Sequence, residues 1–281
     1  MFKTSNKEKI KPRKSLSQNF LINDNAGKRI VDSLNLTRNE AVLEIGPGKG
    51  ALTKYLVEKS GKVVGVEIDG NLCDFLKRRF PSAKNLEIIH QDFLKIDLKR
   101  VILPHRKIKI IGNLPYQITS PVLALLFQNR KRITMAVLMV QKEVAQRICG
   151  KPGTKSWSPL SIGIQLYSDP EILFRLKPSS FMPSPQVESA VIKLSFLRKP
   201  KIKIEDEKFF FIVVKAAFSQ RRKMILNSVS SSLDLKKEMV LKALKRSNID
   251  PKTRAEDLTI EELSSLALNM KMLKFKNEET I

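Results

Sequence analysis

Short apolar segments alternate with amphipathic ones between residues 24 and 140, and this alternation restricts the possible folds more than any other feature of the chain. The apolar segments have the length of β-strands and comprise residues 41–45, 62–67, 86–90, 107–112 and 133–140. The segments between them show helical periodicity at residues 26–36, 51–58, 71–80 and 121–128. Strands joined through helices run parallel. The sequence therefore predicts an α/β domain with a mostly parallel sheet, which binds its ligands at the carboxyl ends of the strands.

The pattern changes near residue 200, and this change predicts the domain organisation. Two closing strands are expected at residues 172–176 and 187–197, followed by a basic linker. The chain beyond the linker shows helical periodicity and almost no glycine. We predict three parts, namely a basic leader at residues 1–14, an α/β domain at residues 15–200 and a small all-helical domain at residues 201–281.

A glycine-rich turn, Glu-Ile-Gly-Pro-Gly-Lys-Gly at residues 44–50, follows the first strand of the predicted sheet. Glycine lets the chain turn tightly and lets a ligand lie against bare backbone. Glu67 ends the next strand, where a carboxylate can accept hydrogen bonds from both hydroxyls of a ribose. Gly46, Gly48 and Glu67 suit a dinucleotide as well as S-adenosylmethionine. Together they predict a cofactor that contains adenosine.

Two further acidic residues favour S-adenosylmethionine over a dinucleotide. Glu44 stands immediately before the glycines, where we expect its carboxylate to face the cationic end of a sulfonium amino acid and to repel a pyrophosphate. Asp92 ends the third strand within Gln-Asp-Phe at residues 91–93, where it can accept from an adenine amino group. The alternative role for Asp92 is a helix N-cap.

The most specific motif is Gly-Asn-Leu-Pro-Tyr at residues 112–116, which ends the fourth strand. The exocyclic amine of adenine is a poor nucleophile because its lone pair is delocalised into the ring. The Asn113 amide oxygen and the carbonyl of Leu114 or Pro115 can accept from its two hydrogens and make the nitrogen nucleophilic. Tyr116 can stack on the base. We therefore predict methyl transfer to an unpaired adenine at this motif.

A second aromatic is expected to hold the base from its other face. Phe181 begins the rigid segment Phe-Met-Pro-Ser-Pro at residues 181–185. Such a segment suits contact with a flipped or unpaired base, and the alternative is that Phe181 is an ordinary core residue.

The charge of the chain predicts a polyanionic partner. Lysine and arginine number 52 against 28 acidic residues, which gives a net charge of +24 and favours binding to nucleic acid. A compositional bias is the alternative explanation. Within the helical domain Arg221, Arg222 and Lys223 can contact RNA or pair with acidic neighbours. The basic leader is either an RNA-backbone contact or a frayed tail.

Other classes of site are disfavoured by composition. The chain has only two cysteines and two histidines, Cys73, Cys149, His90 and His105. These are too few for a zinc site and fit a reducing cytosol, so we predict no metal and a cytoplasmic location. No window holds about 18 uninterrupted apolar residues, so we expect no membrane partner.

Taken together, these motifs resemble the small-subunit (16S) branch of the ribosomal RNA adenine N6,N6-dimethyltransferase family. The resemblance covers residues 15–260 in order and spacing. Besides the motifs above it includes Ser-Gln-Asn-Phe-Leu at 17–21, Gln-Lys-Glu at 141–143, Val-Glu-Ser-Ala at 187–190, Phe-Ser-Gln-Arg-Arg-Lys at 218–223 and Asn227. The chain departs from it at residues 157–158, where Trp-Ser replaces the Tyr-Gly of many relatives.

The resemblance implies a Rossmann-like S-adenosylmethionine-dependent methyltransferase domain with a helical C-terminal domain. It implies cofactor contacts at Asn19, Leu21, Gly46, Glu67, Asp92 and Asn113. It further implies dimethylation of two adjacent adenosines in the 3′-terminal hairpin loop of small-subunit rRNA, within the assembling subunit. We expect a monomer.

Two other functions remain open at this point. One is the sister group that methylates large-subunit rRNA and confers macrolide resistance, which shares the Asn-x-Pro-Tyr pattern but typically has isoleucine at the position of Leu114. The other is a small-subunit assembly factor without catalysis, against which the complete set of cofactor motifs argues.

Overall fold

The structure is a computed structural model, and it describes residues 12, 13, 16, 18–102 and 107–278. These residues fall into two compact units. The first comprises the described residues up to Ala145 together with Ser168–Arg198, and the second comprises Gln146–Tyr167 together with Lys199 onwards.

The first unit is built on a seven-stranded sheet with a separate two-stranded ribbon. In chain order the strands in the described residues are β1 (Phe20–Leu21), β2 (Ala41–Ile45), β3 (Lys62–Glu67), β4 (Leu86–His90), β5 (Ile108–Asn113), β6 (Ile133–Gln141), β7 (Ser168–Leu176), β8 (Phe181–Met182) and β9 (Ser189–Phe196). The large sheet has the order β4-β3-β2-β5-β6-β9-β7. Its first five strands pair in parallel, whereas β9 is antiparallel to both β6 and β7.

Helices connect the strands of the first unit and make up the second. They are α1 (Asp24–Asp32), α2 (Thr53–Lys59), α3 (Gly70–Arg79), α4 (Leu98–Ile102), α5 (Thr119–Gln128), α6 (Lys142–Ile148), α7 (Pro159–Gln165), α8 (Glu207–Ala217), α9 (Ile225–Leu233), α10 (Lys237–Arg246) and α11 (Ile260–Glu278). The predicted α/β class, with a Rossmann-like mostly parallel sheet and a helical C-terminal part, is confirmed.

The strand predictions are most accurate for three neighbouring strands of the parallel part of the sheet. The bounds predicted for β2, β3 and β4 are those observed. Strand β7 begins four residues before the predicted start and includes Pro170. It lies at the sheet edge, where a missing N–H costs no ladder hydrogen bond.

Helix α1 is shorter at its end than its periodicity predicts. Asn23 caps its start, where its side chain accepts from the Ala26 N–H at 3.0 Å. The helix ends at Asp32 rather than near residue 36, because Asn35 adopts a left-handed conformation with φ of +47°.

The core of the first unit packs helices α1 and α2 against the sheet. Its members are buried aliphatic side chains from both, including Ile30, Leu34, Leu56, Val42 and Val137. Burial of each such side chain contributes roughly 1.5–3 kcal/mol. This core fixes the strand ends that carry the motifs.

The second unit takes residues from the middle of the chain as well as from its end, whereas the sequence suggested one contiguous helical segment. Trp157 explains this grouping, because it is buried and its Nε1 donates to the Leu258 carbonyl at 2.8 Å. Ser158 caps α7 and forms a reciprocal capping box with Ser161. The departure at residues 157–158 therefore has a structural role.

Two negative observations concern the described part of the chain only. None of its helices combines the length and apolarity needed to cross a bilayer. No three of its histidine, cysteine, aspartate or glutamate side chains are grouped so that they could hold a metal ion.

Candidate functional site

A cavity opens at the carboxyl ends of β2, β3 and β5. Its volume of 220 Å³ is far above the roughly 15 Å³ that one water needs, so it can take a ligand. The predicted site residues that line it are Asn19, Gly46, Glu67, Asp92, Asn113, Leu114, Pro115, Tyr116 and Phe181. The structure thus brings together residues as far apart in sequence as Asn19 and Phe181.

The glycine turn forms one wall of this cavity with bare backbone. Gly46 has φ of +63°, and a side chain there would meet no protein atom within 4 Å. Gly48 has φ of +56° and lies against the Phe20 ring, which would be 3.2 Å from an added Cβ. Both positions therefore require glycine for their conformation, and Gly46 also leaves room for a ligand.

Glu67 is tied to the glycine turn by hydrogen bonds. Its carboxylate accepts from the Gly48 N–H at 2.9 Å and from the Asp69 N–H at 3.0 Å. The side chain is almost fully buried, and burial raises its pKa. Each carboxylate oxygen keeps a second lone pair with which to accept from a ligand hydroxyl.

Glu44 does not occupy the position that the sequence suggested. Its side chain is buried, accepts from the Thr53 hydroxyl at 2.7 Å and does not line the cavity. The expectation that Glu44 faces a cationic ligand is therefore wrong. The sequence could not reveal this, because every residue of β2 is buried, whichever way it points.

Glu44 has a predictable effect on stability instead. Burial raises its pKa from 4.5 to about 8. Between these values the unfolded chain binds fewer protons than the folded one, so stability falls as the pH rises through this window. Urea unfolding from pH 5 to pH 8 should show a decline approaching about 1.4 kcal/mol per pH unit relative to Glu44→Gln. The exposed Glu58→Gln is the control, and parallel profiles for the wild type and Glu44→Gln would contradict the assignment.

Asp92 caps the 3₁₀ turn Phe93–Lys95 and also lines the cavity. Its Oδ1 accepts from the Leu94 N–H at 2.9 Å. Its Oδ2 makes no hydrogen bond to the described residues. The two roles weighed for Asp92 are thus compatible, since one oxygen caps the turn and the other can bind a ligand.

Asn113 is held by the N-terminal motif. Its Nδ2 donates to the Asn19 carbonyl at 2.8 Å. This bond fixes the rotation of the amide and leaves Oδ1 without a hydrogen bond to the described residues. Asn113 therefore presents a positioned acceptor, and Asn19 is the residue that positions it.

The backbone after Asn113 distinguishes the two candidate carbonyls. The Pro115 carbonyl accepts from the Ile118 N–H at 3.1 Å, which closes the 3₁₀ turn Tyr116–Ile118. The Leu114 carbonyl has no such partner among the described residues, while its N–H donates to Met139. The geometry thus favours Leu114 as the second acceptor.

The two predicted aromatic residues are each held by a residue that does not line the cavity. The Tyr116 hydroxyl lies 3.0 Å from the hydroxyl of the buried Ser189. Phe181 belongs to the ribbon, in which β8 pairs antiparallel with β1 and Phe181 lies opposite Leu21. Leu21 itself packs in the core and does not line the cavity. Any cofactor contact at Leu21 would have to use its backbone, and the predicted contact remains a prediction.

The segment before β1 closes one side of the cavity and is attached to α3. Arg13 Nε lies 3.2 Å from Oδ2 of Asp69, whose side chain is only 1% exposed. The Gln18 amide reaches the same oxygen at 3.4 Å, and its Oε1 accepts from the Arg13 N–H. Residues 1–11 and 14 of the predicted leader lie outside the described residues, as does Ser17 of the following motif.

Arg13→Ala should therefore loosen the segment that carries Gln18 and Asn19. We expect the KM for the cofactor to rise severalfold with kcat little changed, because a buried carboxylate loses its cation and the cavity wall loses an anchor. Steady-state kinetics checks this, with the exposed Arg38→Ala as a charge-matched control. An unchanged KM in Arg13→Ala would show that Arg13 does not anchor the segment that carries Gln18 and Asn19.

Several cavity residues were not predicted as site residues. They are Leu16, Gln18, Phe20, Ile45, Val66, Ile68, Leu72, Gln91, Phe93, Leu94, Gln117 and Ile118. Most directly follow or precede a predicted residue on the same strand end. Only this adjacency could have identified them from the sequence, because apolar residues such as Ile68 and Leu94 carry no chemical feature that indicates a binding site.

Comparison with known proteins identifies the family. The sequence profile of the ribosomal RNA adenine dimethylase family matches residues 9–271. The chain belongs to the ribosomal RNA adenine dimethylase family. The predicted enzyme class is thereby confirmed.

Relatives in the adenine dimethylase family match along nearly their whole length. The chain is 45% identical to the ribosomal RNA small subunit methyltransferase A of Alkaliphilus metalliredigens, with 92% of each chain covered. It is 44% identical to the protein of the same name from a Geobacillus species, with 91% of this chain and 90% of the other covered.

Two solved structures have a similar fold. A dimethyladenosine transferase from Plasmodium falciparum has a TM-score of 0.77 at 25% identity, covering 91% of this chain and 98% of the other. The 23S rRNA methyltransferase ErmE has a TM-score of 0.72 at 24% identity, covering 90% and 100%. The likeness to ErmE shows the fold alone.

In the second unit of this dimethylase, the three basic residues at 221–223 differ in their contacts. Arg221 Nε lies 3.2 Å from Oε2 of Glu256, and its guanidinium also donates to the Lys155 carbonyl. Arg221 thus pairs inside the unit, which was one of the two predicted roles. Arg222 and Lys223 are exposed and pair with no acidic side chain among the described residues.

Proposed function

We propose that this protein uses S-adenosylmethionine to dimethylate N6 of two adjacent adenosines in the 3′-terminal hairpin loop of small-subunit rRNA. Its substrate is the assembling small ribosomal subunit, and it acts as a monomer in the cytoplasm. Relatives at 45% and 44% identity carry a small-subunit name, which favours this substrate over large-subunit rRNA.

The observation that carries the proposal is the fixed amide of Asn113. Its Nδ2 is held by the Asn19 carbonyl, so Oδ1 remains as an acceptor at the cavity wall. Together with the Leu114 carbonyl it would accept from the two N6 hydrogens of adenine. Preorganised acceptors of this kind supply much of the rate in group transfer, because they need no reorganisation during the reaction.

The cavity fits S-adenosylmethionine better than a dinucleotide. A dinucleotide site uses the N–H groups of its glycine turn to bind pyrophosphate. Here the Gly48 N–H donates to Glu67 instead, which also leaves a carboxylate beside the turn. Glu67 would hold the ribose hydroxyls, Asp92 the adenine amino group, and Gly46 would let the cofactor lie against backbone. When bound, the cofactor supplies a methyl group activated by a positively charged sulfur.

The remaining residues would hold the target base. Tyr116 and Phe181 both line the cavity. The half-buried Tyr116 ring suits stacking on an unpaired adenine, whereas Phe181 is 3% exposed and also belongs to the core, so it would contact the base only from the cavity wall. Because dimethylation requires the site to accept amino and methylamino groups, the two acceptors orient N6 without enclosing it. This mechanism assigns no general base, since the attacking nitrogen is neutral and loses its proton after transfer.

Methyl transfer to separated ribosomal subunits tests the proposal directly. Purified protein would be given small and large subunits that lack the modification, with S-adenosylmethionine labelled in its methyl group. We expect label only in the small subunit, and mass spectrometry should place two methyl groups on each of two adjacent adenosines. Label confined to the large subunit would favour the macrolide-resistance function, and no label in either would favour a non-catalytic assembly factor.

A further inference from the structure

The β1–β8 ribbon has one face that packs in the core and one face that does not. Its register places Phe20 opposite Met182 and Leu21 opposite Phe181. Residues directly opposite each other in an antiparallel pair carry their side chains on the same face. Leu21 and Phe181 belong to the buried core, so Phe20 and Met182 share the outer face of the ribbon.

This outer face exposes two large apolar side chains. Met182 is 60% exposed and Ile22 is 56% exposed, and no large apolar side chain in the described part of the chain is more exposed. The Ile22 N–H donates to the Ser180 carbonyl at 2.9 Å, which continues the pairing of the ribbon by one residue. Because side chains alternate along a strand, Ile22 lies on the same face as Phe20. We call Ile22 and Met182 the ribbon ledge.

The ribbon ledge borders the cavity of the candidate site. Phe20 lies on the same face and lines the cavity, and Met182 directly follows Phe181, which also lines it. Neither Ile22 nor Met182 lines the cavity itself. Exposed apolar side chains grouped at the edge of a binding cavity indicate a surface that a ligand covers.

A lysine beside the ledge indicates the chemistry of that ligand. Lys49 Nζ lies 4.8 Å from the centroid of the Phe20 ring and forms no ion pair with the described residues. An apolar surface next to an ammonium group matches a nucleotide, whose base covers the apolar side chains while its phosphate faces the cation. An apolar segment of a protein partner would leave this ammonium group unused.

We propose that the ribbon ledge holds the nucleotide next to the adenosine that occupies the cavity. The base of this neighbour packs on Ile22 and Met182, and its phosphodiester pairs with Lys49. The inference rests on the proposed function, in which the two target adenosines are adjacent and one remains outside the cavity while the other reacts. Because the neighbour is joined covalently to the base in the cavity, it lies at the cavity mouth, where the ledge is.

Serine substitutions on the ledge test whether it contacts the substrate. We expect Met182→Ser and Ile22→Ser each to lower both kcat/KM and binding affinity for undermethylated small subunits by about fivefold, because each removes exposed apolar surface that the neighbour would cover. S-adenosylmethionine affinity should stay within about twofold, since neither residue lines the cavity. Met272→Ser is the matched control, because Met272 is 49% exposed on α11. Normal kcat/KM and affinity in both ledge variants would overturn the proposal.

Subunits with altered rRNA test whether the ledge holds the neighbouring nucleotide. Small subunits would be reconstituted with rRNA in which one of the two adenosines is uridine, so that the other is the sole target. The RNA strand has a direction, so a ledge on one side of the cavity holds either the 5′ or the 3′ neighbour. For one of the two substrates we expect uridine to slow the wild type by about fivefold and Met182→Ser not at all.

The second uridine substrate should affect the wild type and Met182→Ser equally. If neither substrate shows the difference, the ledge does not hold the neighbouring base. A loss of affinity in the ledge variants without that difference would indicate a ribosomal protein as the occupant and would overturn the nucleotide assignment.

Lys49→Gln tests the phosphate contact. We expect it to reduce the slope of log affinity for small subunits against log monovalent salt concentration by about 1 at fixed magnesium concentration. Lys84→Gln is the matched control, because Lys84 is exposed and precedes β4, at the end of the sheet away from the cavity. An unchanged slope in Lys49→Gln would overturn the phosphate contact. Binding is measured without turnover, so a wild type that binds small subunits but does not methylate them would count against the proposed function and not against the ledge.

Discussion

Replacing Asn113 by alanine is expected to lower kcat for methyl transfer by about 10²–10³-fold while RNA affinity stays within about twofold. The variant loses the acceptor that we assign to N6, and it also loses the bond from Nδ2 to the Asn19 carbonyl. Single-turnover transfer to undermethylated small subunits measures the rate, and equilibrium binding at fixed salt measures the affinity.

A matched control exists elsewhere in the first unit. Asn129 is a half-buried amide whose Nδ2 donates to the Leu125 carbonyl at 2.9 Å, but it does not line the cavity. Asn129→Ala loses an equivalent bond and should keep normal turnover. Normal turnover in Asn113→Ala would show that nitrogen activation by this amide is not part of the mechanism.

Glu67→Ala is expected to weaken S-adenosylmethionine binding by about 10²-fold and to lower Tm as well. Two hydrogen bonds to the ribose would be lost, at about 1.5–3 kcal/mol for each bond to a charged group. The Gly48 and Asp69 N–H groups would lose their acceptor, so the glycine turn should loosen. Calorimetry measures the affinity and thermal unfolding measures the stability.

The exposed Glu58→Ala controls for loss of a carboxylate from the same unit. Burial raises the pKa of Glu67, so the carboxylate is protonated at a higher pH than that of an exposed glutamate. As the pH is lowered, cofactor affinity in the wild type should therefore begin to weaken at a correspondingly higher pH. If Glu67→Ala lowers Tm but binds the cofactor normally, Glu67 is a structural residue of the turn and holds no ribose.

The parallel part of the fold was predictable because burial on both faces makes a strand a continuous apolar segment. The bounds of β2 and β3 follow from this, whereas β4 lies at the sheet edge and none of its residues is buried. The β1–β8 ribbon was not predictable, since Phe20–Leu21 and Phe181–Met182 are two residues each and have no periodicity. Nor could the sequence place Trp157 with the helical unit, because its partner Leu258 lies 101 residues away.

The site was predictable where chemistry and strand ends coincide. Glu67, Asp92 and Asn113 each follow an apolar strand, and the sheet brings them to one cavity. The same reasoning gave a wrong prediction for Glu44, because the residue before a turn can point into the core. The Arg13–Asp69 ion pair could not be predicted, because each residue has many possible partners of opposite charge in the sequence and only the folded structure shows which one it contacts.

The hydrogen bond from Gly48 to Glu67 has a consequence for inhibitor discovery. Many adenosine-containing metabolites carry phosphates. An inhibitor that imitates them places an anionic group against the N–H groups of a glycine turn. In this cavity the turn offers such a group no donor at Gly48 and presents a carboxylate beside it. Compound libraries for this enzyme should therefore favour uncharged or cationic nucleosides, and nucleotide analogues should serve as the inactive comparison set.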